Sequence, residues 1–128
     1  MPAQKTDIPK KPRYIYQGRV YVLELRSEVL KEKGFLEQNP GCDPHPGLGC
    51  LYVGSTADVE KRIRIHLEGP GAGDNKRVRG SKLVRKYFFR RREDLEPPDI
   101  YATSGHATIA EALEAELLRD AGYRVYSN

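Results

Sequence analysis

Two tyrosines on short β-rich segments open a set of residues able to work on a phosphate: Tyr21 in RVYVLELR (19–26) and Tyr52 in CLYVG (50–54). Directly after the second, Ser55 and Thr56 lead into a helical stretch that carries Arg62 and His66. Four residues apart, these two share one helix face beside the apolar Val59 and Ile63. A guanidinium presents a charged fork to phosphate oxygens, and an imidazole offers a proton or a hydrogen bond near neutral pH. Facing strands that carry tyrosine hydroxyls, the pair can converge on one phosphate. Carboxylates come from a late helix holding Glu111, Glu114 and Glu116. On its wheel Glu114 and Glu116 flank opposite edges of the apolar stripe, and Glu111 points further out. Periodicity does not choose between Glu114 and Glu116. Each residue alone has a bland explanation: strand tyrosines pack, and helix-edge charges are solvated. The shared spacing is what raises them together.

The elements that position these groups follow from pattern and punctuation. Residues 1–13, with three prolines and no apolar periodicity, read as a flexible basic tail preceding one domain over 14–128. Strand one covers 19–26, residues 27–37 suit a short helix, and the proline- and glycine-rich 38–49 reads as a loop. Strand two covers 50–54. The next helix is expected to be capped by Ser55, with Asp58 as reciprocal partner and Val59, Ile63 and Leu67 as its buried stripe. The glycine-rich 69–74 follows a helix and opens none, so a dinucleotide-binding reading is weak. A short basic helix is expected at 81–87 and a strand at 87–91, before the break at Pro97 and Pro98. The last helix is expected to begin at Thr108, to bury Ile109, Leu113 and Leu117, and to stop at Gly122. Residues 123–126 suit a closing strand. The expected fold is α+β, a small, mainly antiparallel three-stranded sheet flanked by helices.

The 128 residues suffice for one ordinary domain, and 31% charged with 38% hydrophobic residues suits a soluble globular chain. The longest apolar stretch, Val20 to Leu23, is far short of a membrane span, and the N-terminus lacks a signal-peptide core. Two cysteines build no disulfide framework, so the expected compartment is the cytoplasm. Cys42, His45 and Cys50 lack a fourth conventional zinc ligand and read as loop residues.

Net charge is +4, but its distribution is uneven. Residues 76–92 hold nine basic residues and no acid: Lys76, Arg77, Arg79, Lys82, Arg85, Lys86, Arg90, Arg91 and Arg92. The rest of the chain is therefore net −5. A basic run interleaved with Tyr87, Phe88 and Phe89 is the footprint of a protein that meets a phosphate backbone. These nine are the expected nucleic-acid contacts.

The block from Tyr52-Val-Gly-Ser-Thr to Arg62 and His66, behind a Val20-Tyr21 strand, resembles the GIY-YIG nuclease superfamily. That family's signature places an arginine ten residues after the second tyrosine and often a histidine four further on, the spacing found here. The late EALEAE stretch (111–116) resembles the family's glutamate helix, and Asn128 stands twelve residues after Glu116, as in excision-repair members. Three departures stand out. Arg19 replaces the usual glycine of the first motif, about 32–49 looks like an insertion, and Glu24 stands where excision-repair members carry lysine.

The resemblance implies a metal-dependent endonuclease acting on DNA, with RNA not excluded as substrate. It implies one Mg²⁺ or Mn²⁺ ion held by Glu116, Arg62 on the phosphate oxygens, and Tyr21 as general base. Tyr52 or His66 would take or orient the Tyr21 proton, and Asn128 would position the metal side. A phenol titrates near 10, so this role calls for a pKa depressed by neighbouring cations. The expected state is a monomer or weak dimer. The alternative reading is a non-catalytic nucleic-acid-binding module on the same scaffold; a third is a protein-binding scaffold working through 76–92.

Overall fold

The computed structural model describes residues 15–41, 45–69 and 81–127. The expected tail, Cys42, residues 70–80 with Lys76, Arg77 and Arg79, and Asn128 all lie outside the described residues. Among the described residues no helix is long and apolar enough to cross a membrane.

The elements run β1 (Arg19–Leu25), a 3-10 turn (Ser27–Lys31), α1 (Lys33–Glu37), β2 (Cys50–Thr56) and α2 (Val59–Glu68). They continue α3 (Lys82–Tyr87), β3 (Phe88–Arg91), a second 3-10 turn (Glu93–Leu95), α4 (Ser104–Ala121) and β4 (Arg124–Ser127). The α+β class is as the sequence indicates, but the sheet has four strands in the order β3-β1-β2-β4 and is mixed. β1 pairs antiparallel with β2 and β3, whereas β4 lies parallel to β2. The long α4 supplies the crossover a parallel pair requires.

Both faces of the sheet are covered, which is why β1 and β2 read as nearly unbroken apolar runs. Tyr21, Leu23, Leu25, Cys50 and Tyr52 face one core with Val29, Phe35, Val59, Val84 and Tyr87. Val20, Val22, Leu51, Val53 and Val125 face the other, against Ala115 and Leu118 of α4.

Helix phases differ from the sequence expectation at two places. Asp58, not Ser55, caps α2, accepting from the Lys61 N–H at 3.1 Å, because Ser55 is still in β2. Val59 is buried and Ile63 half-buried, but Leu67 is exposed, and Ile65 and His66 are buried instead. Thr103, not Thr108, caps α4, and the helix buries Ala107, Glu111, Ala115 and Leu118. Ile109, Leu113 and Leu117, expected in the core, are 61%, 61% and 63% exposed. The sheet face beneath α4 already carries five bulky aliphatic residues, so the helix approaches it with small side chains and turns its large ones outward. Gly122 ends α4 as expected, with a left-handed φ of 113°.

Candidate active site

The site forms where β2 outruns β4. Among the described residues the last β4 pairing is Ser127 with Val53, and Gly54, Ser55 and Thr56 continue β2 beyond it. Side-chain alternation then sends Tyr52 to the α2 side and Ser55 to the α4 side. Gly54 lies directly beneath the Tyr21 phenol, and a methyl group there would overlap the hydroxyl. That packing explains why glycine follows Tyr52-Val53.

On the α2 side, Tyr21, Tyr52 and His66 form a buried trio, at most 1% exposed. Tyr21 Oη lies 2.7 Å from His66 Nε2, and the opposite ring nitrogen, Nδ1, accepts from the Ser81 N–H at 2.7 Å. The Tyr52 and His66 rings meet edge-on with centroids 5.1 Å apart, and Tyr21 and Tyr52 lie 6.2 Å apart. Tyr126 of β4 stacks on Tyr52 at 6.1 Å and on Phe35 at 6.5 Å. Sequence reasoning missed Tyr126 as a support for Tyr52, although its place in the closing strand was legible.

On the α4 side the carboxylate is Glu111. It is 7% exposed, and its Oε1 accepts from Ser55 Oγ at 2.9 Å. Glu116, expected to hold the metal, instead extends into solvent with its side chain 66% exposed and bonds Arg119 at 2.6 Å. Its neighbourhood is a polar pocket with Gln38, Asn39 and Tyr123, separate from Ser55 and Arg62. The cause is helix phase. Once Ala107, Ala115 and Leu118 face the sheet, Glu111 falls on the buried line and Glu116 well off it. A strict alternation along β2, carried one residue past Gly54, would have pointed to Ser55 and its partner.

Arg62 links both sides. Its positive charge acts on Tyr21, Tyr52, His66 and Glu111. Among the described residues no carboxylate lies within ion-pair distance of it. Burial pushes the Tyr21 phenol far above its usual value, outweighing the lowering by Arg62, so the depressed pKa expected for a base is not found in the free protein. Tyr52 is pushed up to about 12 by burial and by the Glu111 charge. His66 is driven down to about 4 by burial and by Arg62, and is neutral at pH 7. Burial also raises the Glu111 carboxyl. Arg62 faces a groove of about 470 Å³ that also holds Tyr16, Ser55, Thr56, Asp58 and Lys61.

The basic segment is arranged otherwise. Arg90 bonds Glu24 at 2.8 Å, Arg91 grips Glu96 through two bonds of 2.7 and 2.8 Å, and Arg92 is held by Asp94 and Glu24. Lys86 pairs with Glu32, while Lys82 and Arg85 are exposed on α3. Glu24 is the cross-strand partner of Arg90. The acids that neutralise this run are distant in sequence or just beyond its end, which is why a segmental charge tally overstates the patch. Of the loop cluster, His45 is exposed and Cys50 is buried in the core. Among the described residues no three potential ligands come together.

A family model of the GIY-YIG catalytic domain matches residues 46–120, which include Tyr52, Arg62, His66, Glu111 and Glu116. Tyr21 lies upstream of the matched stretch, and its place in the site rests on the pairing of Tyr21 with Gly54 in the sheet. Neither the curated proteins nor the solved structures contain a match. The matched stretch covers more than half the chain and holds both the second tyrosine motif and the glutamate helix, so the chain belongs to the GIY-YIG catalytic-domain family, a family of nucleases.

Proposed function

We propose that this chain is a metal-dependent endonuclease that hydrolyses phosphodiester bonds in DNA. The observation that carries the reading is Arg62, a cation without a carboxylate partner among the described residues, set in a groove between a buried carboxylate and a tyrosine–histidine pair. Phosphodiester hydrolysis needs charge stabilisation at the non-bridging oxygens and a group to accept the water's proton. Arg62 is suited to the first. Tyr21 is the candidate for the second: a phenol that burial holds protonated is a strong base once ionised, and the Arg62 charge favours that ionisation.

Glu111, in place of Glu116, is the candidate metal ligand. Ser55 occupies one of its oxygens, and the cost of burying the carboxylate is one that a cation alongside would offset. One carboxylate suits Mg²⁺, which keeps most of its water. A bound ion would supply Lewis-acid stabilisation of the leaving oxygen. The groove, more than β3, is the proposed phosphate track. Asn128, outside the described residues, is proposed to help position the metal-side groups, as the family resemblance implies.

Nicking of supercoiled plasmid in Mg²⁺ or Mn²⁺ tests the reading. Glu111→Gln should abolish cleavage and leave DNA binding intact, while Glu116→Gln should cleave nearly as wild type does. The opposite ranking would return the metal to Glu116. A wild-type protein that binds plasmid, flap and RNA substrates without cutting any of them would be a binding module.

A further inference from the structure

We propose that the backbone N–H of Ser81 fixes the His66 tautomer, so that the imidazole donates a hydrogen bond to Tyr21 and cannot receive the Tyr21 proton. The Ser81 amide lies 2.7 Å from His66 Nδ1, and an amide N–H only donates. Nδ1 therefore presents its lone pair. A neutral imidazole carries one ring proton, which must then sit on Nε2, the atom 2.7 Å from Tyr21 Oη. Tyr21 is the acceptor in that bond. His66 is 0% and Tyr21 1% exposed, so the bond between them is shielded from bulk water. A second ring proton would set an N–H against the Ser81 N–H and place a new charge beside Arg62.

The consequence is a direction. The Tyr21 hydroxyl hydrogen turns away from His66. When that O–H bond breaks, the electron pair stays on Tyr21 Oη, held by His66 Nε2–H beside the Arg62 charge, and the proton passes to solvent, because Nε2 already carries one. His66 is then a positioning residue that supports a tyrosinate, and of the two roles expected of it, taking or orienting the Tyr21 proton, only orienting is left. Ser81 is suited to the task because it caps α3. Its Oγ accepts from the Val84 N–H while its own N–H points at α2. The tautomer itself follows from the geometry alone; its catalytic consequence rests on the nuclease reading.

Long-range ¹H–¹⁵N imidazole spectra of the full chain at pH 7 test the tautomer directly. His66, identified by its loss in His66→Gln, should show a protonated Nε2 and a bare Nδ1; a protonated Nδ1 overturns the proposal. Ser81 has φ −79°, which proline adopts, so Ser81→Pro deletes the N–H with little backbone strain. Ser81→Ala removes only the side-chain cap and serves as its reference. The Nε2–H form should persist in Ser81→Ala and become mixed in Ser81→Pro; an unmixed Ser81→Pro spectrum also overturns the proposal. In cleavage, glutamine can donate a hydrogen bond but takes no proton near pH 7. His66→Gln should therefore recover at least tenfold of the kcat that His66→Ala loses, with KM little changed. A glutamine variant as slow as the alanine one removes the donor role. If the wild type cleaves nothing, the nuclease reading falls, and the spectra still decide the tautomer.

Discussion

Arg62 and the β3 arginines are the same residue type in opposite electrostatic settings. Arg90 and Arg91 sit on the edge strand β3 and Arg92 directly follows it; each is matched to a carboxylate, two of them sharing Glu24. Arg62 sits at the open end of β2 among two neutral phenols, a neutral imidazole and one buried glutamate. Intramolecular pairs already satisfy the first group, so its charges add little to the field a phosphate would feel. The second has no carboxylate within ion-pair distance among the described residues, and a phosphate is its proposed partner. The difference teaches that the density of basic residues along a chain is a poor guide to where an anion binds. What matters is which of them the fold leaves without an acid.

The largest expected effect follows from that contrast. Arg62→Ala should slow metal-dependent nicking by about 10²–10³, since one charged transition-state contact is worth about 3–4 kcal/mol. Arg90→Gln and Arg92→Gln should each stay within about threefold of wild type. Single-turnover nicking of one plasmid by the three variants compares them directly. Equal losses at Arg62 and Arg90 would erase the distinction between the two regions.

The same contrast marks what could be read from the residues alone. The second tyrosine motif, Arg62, His66 and the order of elements were legible because they depend on local spacing: strand, turn, then a helix with i,i+4 neighbours. The choice of glutamate was not. α4 carries two lines of side chains, Ala107-Glu111-Ala115-Leu118 and Ile109-Leu113-Leu117, and the bulkier line is the more persuasive on a wheel although the sheet accepts the smaller one. Ion pairing of 90–92 was equally hidden. Glu24 is far from it in sequence and meets Arg90 only through the β1–β3 register. The fourth strand was visible as a short β-rich end, but its parallel pairing beside β2 depends on where α4 returns the chain.

A second expectation concerns the neutral imidazole beside Arg62. The folded-state pKa of His66, about 4, lies below its ordinary 6.5. Between those values the unfolded chain binds a proton that the native state refuses, so stability falls as pH drops through that window and is fully present above it. Tm should decline more between pH 7.5 and pH 5 in wild type than in His66→Gln. Matching declines would mean that Arg62 and burial do not hold the ring neutral.

A third expectation would break the comparison by converting one region into the other. Glu24→Gln removes the carboxylate that Arg90 and Arg92 share, freeing at least the more exposed Arg90. DNA affinity should rise, and the slope of log affinity against log salt should steepen by about one unit for each further phosphate neutralised. A slope unchanged across titrations from low to moderate salt would show that β3 faces away from the bound strand even when unpaired.

The smallest effect expected is on stability, at the pair that looks most conspicuous. The Arg90–Glu24 contact is short, 2.8 Å, yet the Arg90 side chain is 59% exposed. Exposed ion pairs contribute about 0–1 kcal/mol, because water screens the attraction and ordering two long side chains costs entropy. Glu24 also keeps Arg92 as a partner when Arg90 is gone, so no charge is left stranded. Arg90→Gln should therefore unfold in urea within about 1 kcal/mol of wild type. The slope of unfolding free energy against urea should also be unchanged, since no buried surface is lost. A loss well beyond that would mean the β3 pairs hold the edge strand in the sheet, and Arg90 would then be a structural residue and not a spectator beside Arg62.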